Sequence, residues 1–512
     1  MSKHEDLKSS SVQSSDADHS LWSSGNGTLE EAKTTLGRQD IASQLHILLV
    51  VCLSAVLSGL GLTCLASSLS VIMPSLSGND YPWAVSSYAI ANMAFIPICG
   101  DIAEVFGVFP AMMISTTLFL LGSILCGCTQ NVLWLISARV VQGSGGGGLL
   151  LLPSIIIADL VPSHRQHFTK SLYLTMLIFA VSVGPLFGNV LAVAHAWRWI
   201  FIIKIPLVLV LSGTSFWCRK AGHFSTRVSV LSDFRRMDWT TDILMTVGSV
   251  LVGVALTKAY ATLLWTSVHV LAPLIAGLYL VCLAVLLGGF PSARSLVPRS
   301  IMSNLTTISA LVQNILISFV FFTLIYYLPV YYQGCQGSTL TMSGVKLLAI
   351  ALPASLSALL AGLSSTYLSG YRAQCYIGWI LSTLGCGLMT IVQADSPSSY
   401  TIAFPILAAM GCGAVYLTTD SPLLVPLPKS SRHGALVLGT FNKSLGAMAG
   451  ILVNAELLQR GLVDRSQDIP SGQSFYEIAS HVHILAAPDK ATVQTAVGDS
   501  LSAIWHATLG VG

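Results

Sequence analysis

The stretch Arg139-Val-Val-Gln-Gly-Ser-Gly-Gly-Gly-Gly-Leu-Leu-Leu-Leu-Pro153 sets five glycines within six positions and flanks them with apolar residues. Two readings compete for it. Gly143-Ser-Gly145-Gly-Gly-Gly148 satisfies the G-x-G-x-x-G pattern that wraps a dinucleotide pyrophosphate, a pattern that needs a preceding strand, a following helix and an acidic residue about 20 positions on. That region reads Val161-Pro-Ser-His-Arg165 and holds no carboxylate. A phosphate-binding P-loop fails as well, because no Lys-Ser or Lys-Thr closes the run. The other reading is a membrane helix whose missing side chains let neighbouring backbones approach closely. The surrounding sequence decides between them.

Of the 512 residues, 53% are hydrophobic and only 9% charged, against about 25% charged in ordinary soluble domains. From residue 46 onward apolar stretches of about 20 residues recur, each long enough to cross about 30 Å of hydrocarbon as a helix. About thirteen such spans can be placed, the first over 46–70, the fourth over 132–158, the ninth over 305–331 and the thirteenth over 435–455. Residues 499–512 make a short fourteenth, which reaches roughly 21 Å and is expected to be truncated or interfacial. The fold class is therefore all-α integral membrane. A phosphate loop inside the fourth span would strand backbone groups in hydrocarbon, so Gly143, Gly145 and Gly147 are expected to form a packing surface.

Net charge is only +3, so the placement of Lys and Arg carries the information. They gather in the N-terminal tail and the even-numbered connections, as in Lys3, Lys33, Arg165, Arg219, Arg235 and Arg236, whereas Arg460, Arg465 and Lys490 lie in outside loops. The N-terminus is expected to be cytoplasmic. Residues 1–45 are Ser-rich and read as a disordered cytoplasmic tail rather than a signal peptide. The expected organisation continues with an N-terminal six-helix bundle at 46–218, a cytoplasmic linker at 219–239, two extra helices at 240–289, C-terminal helices at 290–455, an extracellular loop at 456–498 and the truncated helix at 499–512. Nearly all of the eleven cysteines sit in apolar segments and read as packing residues. The histidines are scattered. Neither pattern suggests a metal site, a cofactor, an enzyme active centre or a nucleic-acid partner.

Arg139 is the first functional candidate, because an arginine inside an apolar helix costs about 2.5 to 3.5 kcal/mol on insertion scales. Leu133 followed by Arg139-Val-Val-Gln142-Gly143-x-Gly145 resembles the fourth-helix motif of the major facilitator superfamily, and within it the fungal drug:proton antiporters with about fourteen helices. Gly184-Pro185-x-x-Gly188 is similar to the antiporter motif of the fifth helix, with Ala180 and Asn189 in place of two usual glycines. Trp197-Arg-Trp-Ile-Phe201, Asp238-Trp239, Tyr326-Tyr-Leu-Pro329 and Ser343-Gly-Val-Lys-Leu-Leu348 extend the resemblance over about residues 46–460. It implies two six-helix bundles plus extra helices, proton coupling through Arg139, and an inward gate at Gly100-Asp101-Ile-Ala-Glu104-Val-Phe-Gly107. That loop departs from the family pattern. Glu104 replaces an aspartate, and Val108 and Phe109 replace the basic pair. A simple tight turn is the alternative reading of the loop. Leu65 stands where the family commonly has a proton-accepting aspartate. Asp420 and Lys443 are expected either to pair as charges in the cytoplasmic half or to leave Asp420 at the interface.

A substrate is expected between the two halves near mid-membrane. Helix two offers Tyr88, Asn92 and Phe95, and helix nine offers Gln313, Asn314 and Tyr326. Gln142 and Lys204 complete the candidate binding residues, while Tyr331 and Tyr332 are placed at the membrane interface. With Arg139 and Lys204 but no mid-membrane carboxylate in the first six helices, a neutral or anionic amphiphile suits better than a cation. The expectation is a monomeric exporter of a small amphiphilic molecule such as a secondary metabolite, glycolipid or drug-like compound, coupled to protons. An organic-acid exporter and a non-transporting sensor of the same fold are the alternatives.

Overall fold

The computed structural model describes residues 44–76, 80–222, 237–262, 265–288, 299–367, 371–393, 396–465 and 487–511. We label the long helices α1 (Gln44–Thr63), α2 (Tyr81–Phe106), α3 (Val108–Gly127), α4 (Val132–Leu160), α5 (Ser163–Val193), α6 (Lys204–Lys220), α7 (Trp239–Thr262), α8 (Val268–Gly288), α9 (Leu305–Gly334), α10 (Leu340–Tyr367), α11 (Arg372–Met389), α12 (Ser398–Thr418), α13 (Arg432–Arg465) and α14 (Ala487–Val511). Among the described residues, twelve helices are long and apolar enough to cross a membrane. The protein is a multi-pass membrane protein. α11 and α14 stand outside that set; α11 has only 18 residues and opens on Arg372 and Gln374.

Two expected boundaries change. The last helix has 25 residues and begins at Ala487, so at 1.5 Å per residue it is roughly 38 Å long rather than a stub. Its first turns carry Asp489, Lys490 and Gln494, and these polar residues hid the start from a hydropathy reading. α13 likewise runs on to Arg465, so the expected loop at 456–498 is helical at both ends. The tail before residue 44, the linker residues 223–236 and residues 466–486 lie outside the described residues.

Local chemistry explains the boundaries that matter for the site. Asn131 caps α4, its Oδ1 accepting the Trp134 N–H at 2.8 Å, which satisfies one of the free donors of the first turn. Gly107 joins α2 to α3 with φ of 98°, a conformation open to glycine and strained for other residues. The Gly107 loop is thus a one-residue turn between two helices.

Residues Val50–Gly512 form one compact unit, within which α4 packs against both α2 and α3, and α9 against α13. The glycine run makes the first of these contacts possible. A Cβ on Gly145 would lie 2.6 Å from the Ser115 carbonyl oxygen on α3, and one on Gly147 would strike the Asn92 carbonyl oxygen on α2. α5 packs along α10, and α2 along α13, so these two pairs join the halves of the molecule. In the α5 motif, Gly188 meets the Cys64 carbonyl oxygen and Gly184 the Thr63 hydroxyl. α7 packs on α8 and α2 and also touches α13. α8 is the most apolar of the twelve spans and the least buried, as expected of a helix facing lipid.

Tyr331 and Tyr332 do not face the membrane interface. Both are buried, their hydroxyls donating to the carbonyls of Gln393 at 2.9 Å and Thr401 at 3.0 Å. An aromatic with a polar tip is at home in protein wherever the tip finds an acceptor, and here α12 supplies one.

Candidate functional site

A pocket lies where the two halves meet, walled by α1, α2, α4 and α5 on one side and α9, α12 and α13 on the other. Phe321, Phe322 and Tyr416 form its aromatic wall, with the Phe321 ring edge-on to Phe322 at 5.7 Å and tilted against Tyr416 at 6.1 Å. Polar groups come from Ser58, Asn92, Lys443 and Ser444, and the Ser444 hydroxyl reaches Asn92 Oδ1 across the halves at 3.3 Å. A mostly apolar chamber with a few convergent polar groups is the usual form of a small-molecule site.

Lys443 links this chamber to a charge cluster. Its Nζ donates to Asp420 Oδ1 at 2.8 Å and to the Tyr416 carbonyl at 3.3 Å. The other carboxylate oxygen lies 3.3 Å from Lys170 Nζ on α5. Asp420 is therefore shared by a lysine from each half, and the trio keeps one net positive charge. A second pocket shares Leu150, Leu177, Tyr416 and Lys443 with the first and reaches Asp420. Lys443 is thus the one cation that faces both cavities among their lining residues.

Arg139 sits elsewhere. It is 2% exposed, and its Nη1 donates to the Gly61 carbonyl at 2.8 Å and to Gln142 Oε1 at 2.9 Å. Its guanidinium carbon lies 4.3 Å from the centre of the Tyr88 ring, and Gln142 passes the chain on to Ser123 Oγ at 2.9 Å. Lys204 donates to the Leu60 carbonyl at 3.2 Å, and the Tyr326 hydroxyl donates to the Leu62 carbonyl at 2.8 Å. Three successive carbonyls in the last turn of α1 thus accept from Lys204, Arg139 and Tyr326. The Leu60 carbonyl also accepts the Cys64 N–H at 3.3 Å; carbonyls at a helix end carry its negative dipole, so the α1 terminus acts as the counter-charge for two buried cations. This arrangement is compatible with Leu65 at the position where the resemblance leads one to look for an acid.

At the end of the bundle that carries Gly107, α2 meets α7 and α13. The Asp101 carboxylate accepts the Asp238 N–H at 2.8 Å. His433, at the start of α13, lies 3.0 Å from the Gly100 carbonyl and 3.9 Å from Glu104.

Of the candidate substrate residues, Asn92 lines the main cavity, whereas Tyr88, Gln142, Lys204 and Tyr326 are built into the Arg139 cluster. Gln313 turns toward α11, its Oε1 3.4 Å from Trp379 Nε1, and does not face the chamber. Phe95 and Asn314 are not part of the lining either. Sequence reasoning overlooked Tyr416, Ser444, Lys170, His433 and Asp242. Only Asp242 left a signal: an acid one helical turn after Asp238 in an apolar segment.

The sequence profile of the Major Facilitator Superfamily matches residues 51–453. The chain belongs to this superfamily of membrane transporters. It is 30% identical over 417 residues to the efflux pump FUS6 of Gibberella fujikuroi, covering 80% of this chain and 74% of that one. To the MFS-type efflux pump LUC4 of a Fusarium species it is 28% identical over 482 residues, covering 90% and 84%. Among solved structures, the superfamily's proton:xylose symporter XylE bound to 6-bromo-6-deoxy-D-glucose superposes with a TM-score of 0.57 at 13% identity, over 90% of this chain and 98% of that one. At that identity the likeness speaks for the major facilitator fold alone.

Proposed function

We propose that this chain is a secondary active exporter of a small amphiphilic organic molecule, neutral or anionic, driven by proton antiport. The observation that carries the reading is the apolar, aromatic chamber between the halves with Lys443 as its charged group. No carboxylate joins Lys443 in that lining, and a cationic cargo would meet the net positive charge of the Lys170–Asp420–Lys443 trio. The named efflux pumps among its relatives support export over uptake. In this reading the N-terminus is cytoplasmic, the protein works as a monomer, Glu104 with His433 and Lys170 with Asp420 close the inward side, and Arg139 sets the geometry of α1 on which coupling depends.

The test is a comparison of culture fluid and cell contents from strains with and without the protein. It is followed by uptake into inside-out vesicles under an imposed proton gradient. Accumulation of a neutral or anionic compound that collapses with the gradient supports the proposal. Equal distributions in both strains would instead favour the non-transporting sensor.

A further inference from the structure

Among the described residues, Asp242 is the buried acid with no donor for either carboxyl oxygen. It lies in the first turn of α7, fully buried. The group within hydrogen-bonding range is another carboxyl, that of Asp101 on α2. The two acids are not equivalent. Asp101 Oδ2 accepts the backbone N–H of Asp238 at 2.8 Å, a donor that favours the anion, whereas Asp242 has no such support. Two carboxyl groups facing one another in a dry site hold one proton between them, and here it belongs on Asp242, with the O–H donating to Asp101.

The surroundings leave few other ways to neutralise the pair. Asp238 caps α7 through Thr241, whose hydroxyl donates to it at 2.7 Å, and Glu104 lies one turn beyond Asp101 on α2. From α13, His433 is engaged with the Gly100 carbonyl and Glu104, while Asp159 of α4 is within electrostatic reach of His433. Among the described residues no lysine or arginine acts on either carboxyl, and no three His, Cys, Asp or Glu side chains are grouped to hold a metal ion.

We propose that Asp101 and Asp242 together bind a single proton that latches the start of α7 onto the end of α2. With the proton in place, the Asp242 O–H to Asp101 bond joins the two helices, beside the Thr246 hydroxyl that donates to the Ala94 carbonyl at 3.0 Å further along. When the proton leaves to water, Asp101, Asp238 and Asp242 become three anions on one contact, with Glu104 nearby, and the start of α7 is repelled from α2. Because α7 also touches α13, the latch bears on the joint between the halves. The site is separate from the substrate chamber, and the inference does not rest on the export reading.

The test uses the purified full-length protein in lipid nanodiscs, with Asp242→Asn and Asp101→Asn. Infrared spectroscopy at neutral pH should show a protonated-carboxyl C=O band that Asp242→Asn removes; a band unchanged by that substitution overturns the proposal. Unfolded aspartates lose their protons near pH 4, so above that pH the folded chain carries one proton more than the unfolded one, and its melting temperature falls as pH rises. Both asparagine variants should flatten that slope relative to the unsubstituted protein. An unchanged slope in either variant refutes the shared proton, and Asp101→Asn carries the test alone if Asp242→Asn does not fold.

Discussion

The guanidinium of Arg139 on α4 donates to the carbonyl of Gly61 on α1 at 2.8 Å, so a buried cation is compensated by a helix terminus rather than by a carboxylate. Removing it frees the end of α1 while leaving the membrane insertion of α4 unharmed or easier. Arg139→Ala should therefore reach the membrane at normal levels yet lose export. Lys at this position keeps the charge but not the planar fork, and should retain part of the activity. Export by the alanine variant at the unmodified rate, with equal protein in the membrane, would reduce Arg139 to a packing residue.

Asp420 is held by Lys443 at 2.8 Å and Lys170 at 3.3 Å. Asp420→Ala leaves two cations unneutralised, and breaking a buried pair in this way typically costs about 3–5 kcal/mol. A clear drop in melting temperature and loss of transport are expected. Lys443→Met should be milder for stability, because Lys170 still neutralises Asp420, but should weaken binding of an anionic cargo relative to a neutral one. Competition binding with matched anionic and neutral compounds measures the difference.

Gly145 and Gly147 face backbone atoms of α3 and α2, which cannot move aside as side chains do. Overpacking of this kind costs about 1–3 kcal/mol or more, so Gly145→Leu or Gly147→Leu should reduce the folded, monodisperse fraction on size exclusion. Nucleotide binding by the intact protein that vanished in these variants would return the glycine run to its phosphate-binding reading.

With α14 at 25 residues, long enough to cross about 30 Å of hydrocarbon, a tag placed after Gly512 should lie on the same side of the membrane as the N-terminal tail. A probe near Arg465 should lie on the opposite side. Accessibility labelling of intact cells distinguishes the two faces, and a Gly512 tag labelled from outside would show that α14 does not cross.

Much of this was legible in the sequence for one reason: hydrocarbon imposes a local rule. About twenty consecutive apolar residues suffice to make a membrane helix, so most spans and the helical context of the Arg139–Pro153 stretch could be read residue by residue, while the superfamily was legible only as a resemblance of motifs such as Arg139–Gly145 and Gly184–Gly188. The need for glycine at 145 and 147, by contrast, is set by the backbones of α3 and α2 that pack against them. The sites could not be read this way, because each is made by residues far apart in the chain. Gln313 and Asn314 both read as inward-facing, yet Gln313 turns to Trp379 and neither lines the chamber. Lys170 and Asp420 look like ordinary boundary charges until packing of the halves brings them to 3.3 Å. Arg139 announces a cost in sequence, but only the fold shows that the carbonyl end of α1 meets it. Asp101 and Asp242 become a proton site only when α7 lies down on α2. Charge, hydrogen bonding and exclusion of water act over a few ångströms in space, and tertiary packing alone decides which residues come within that distance.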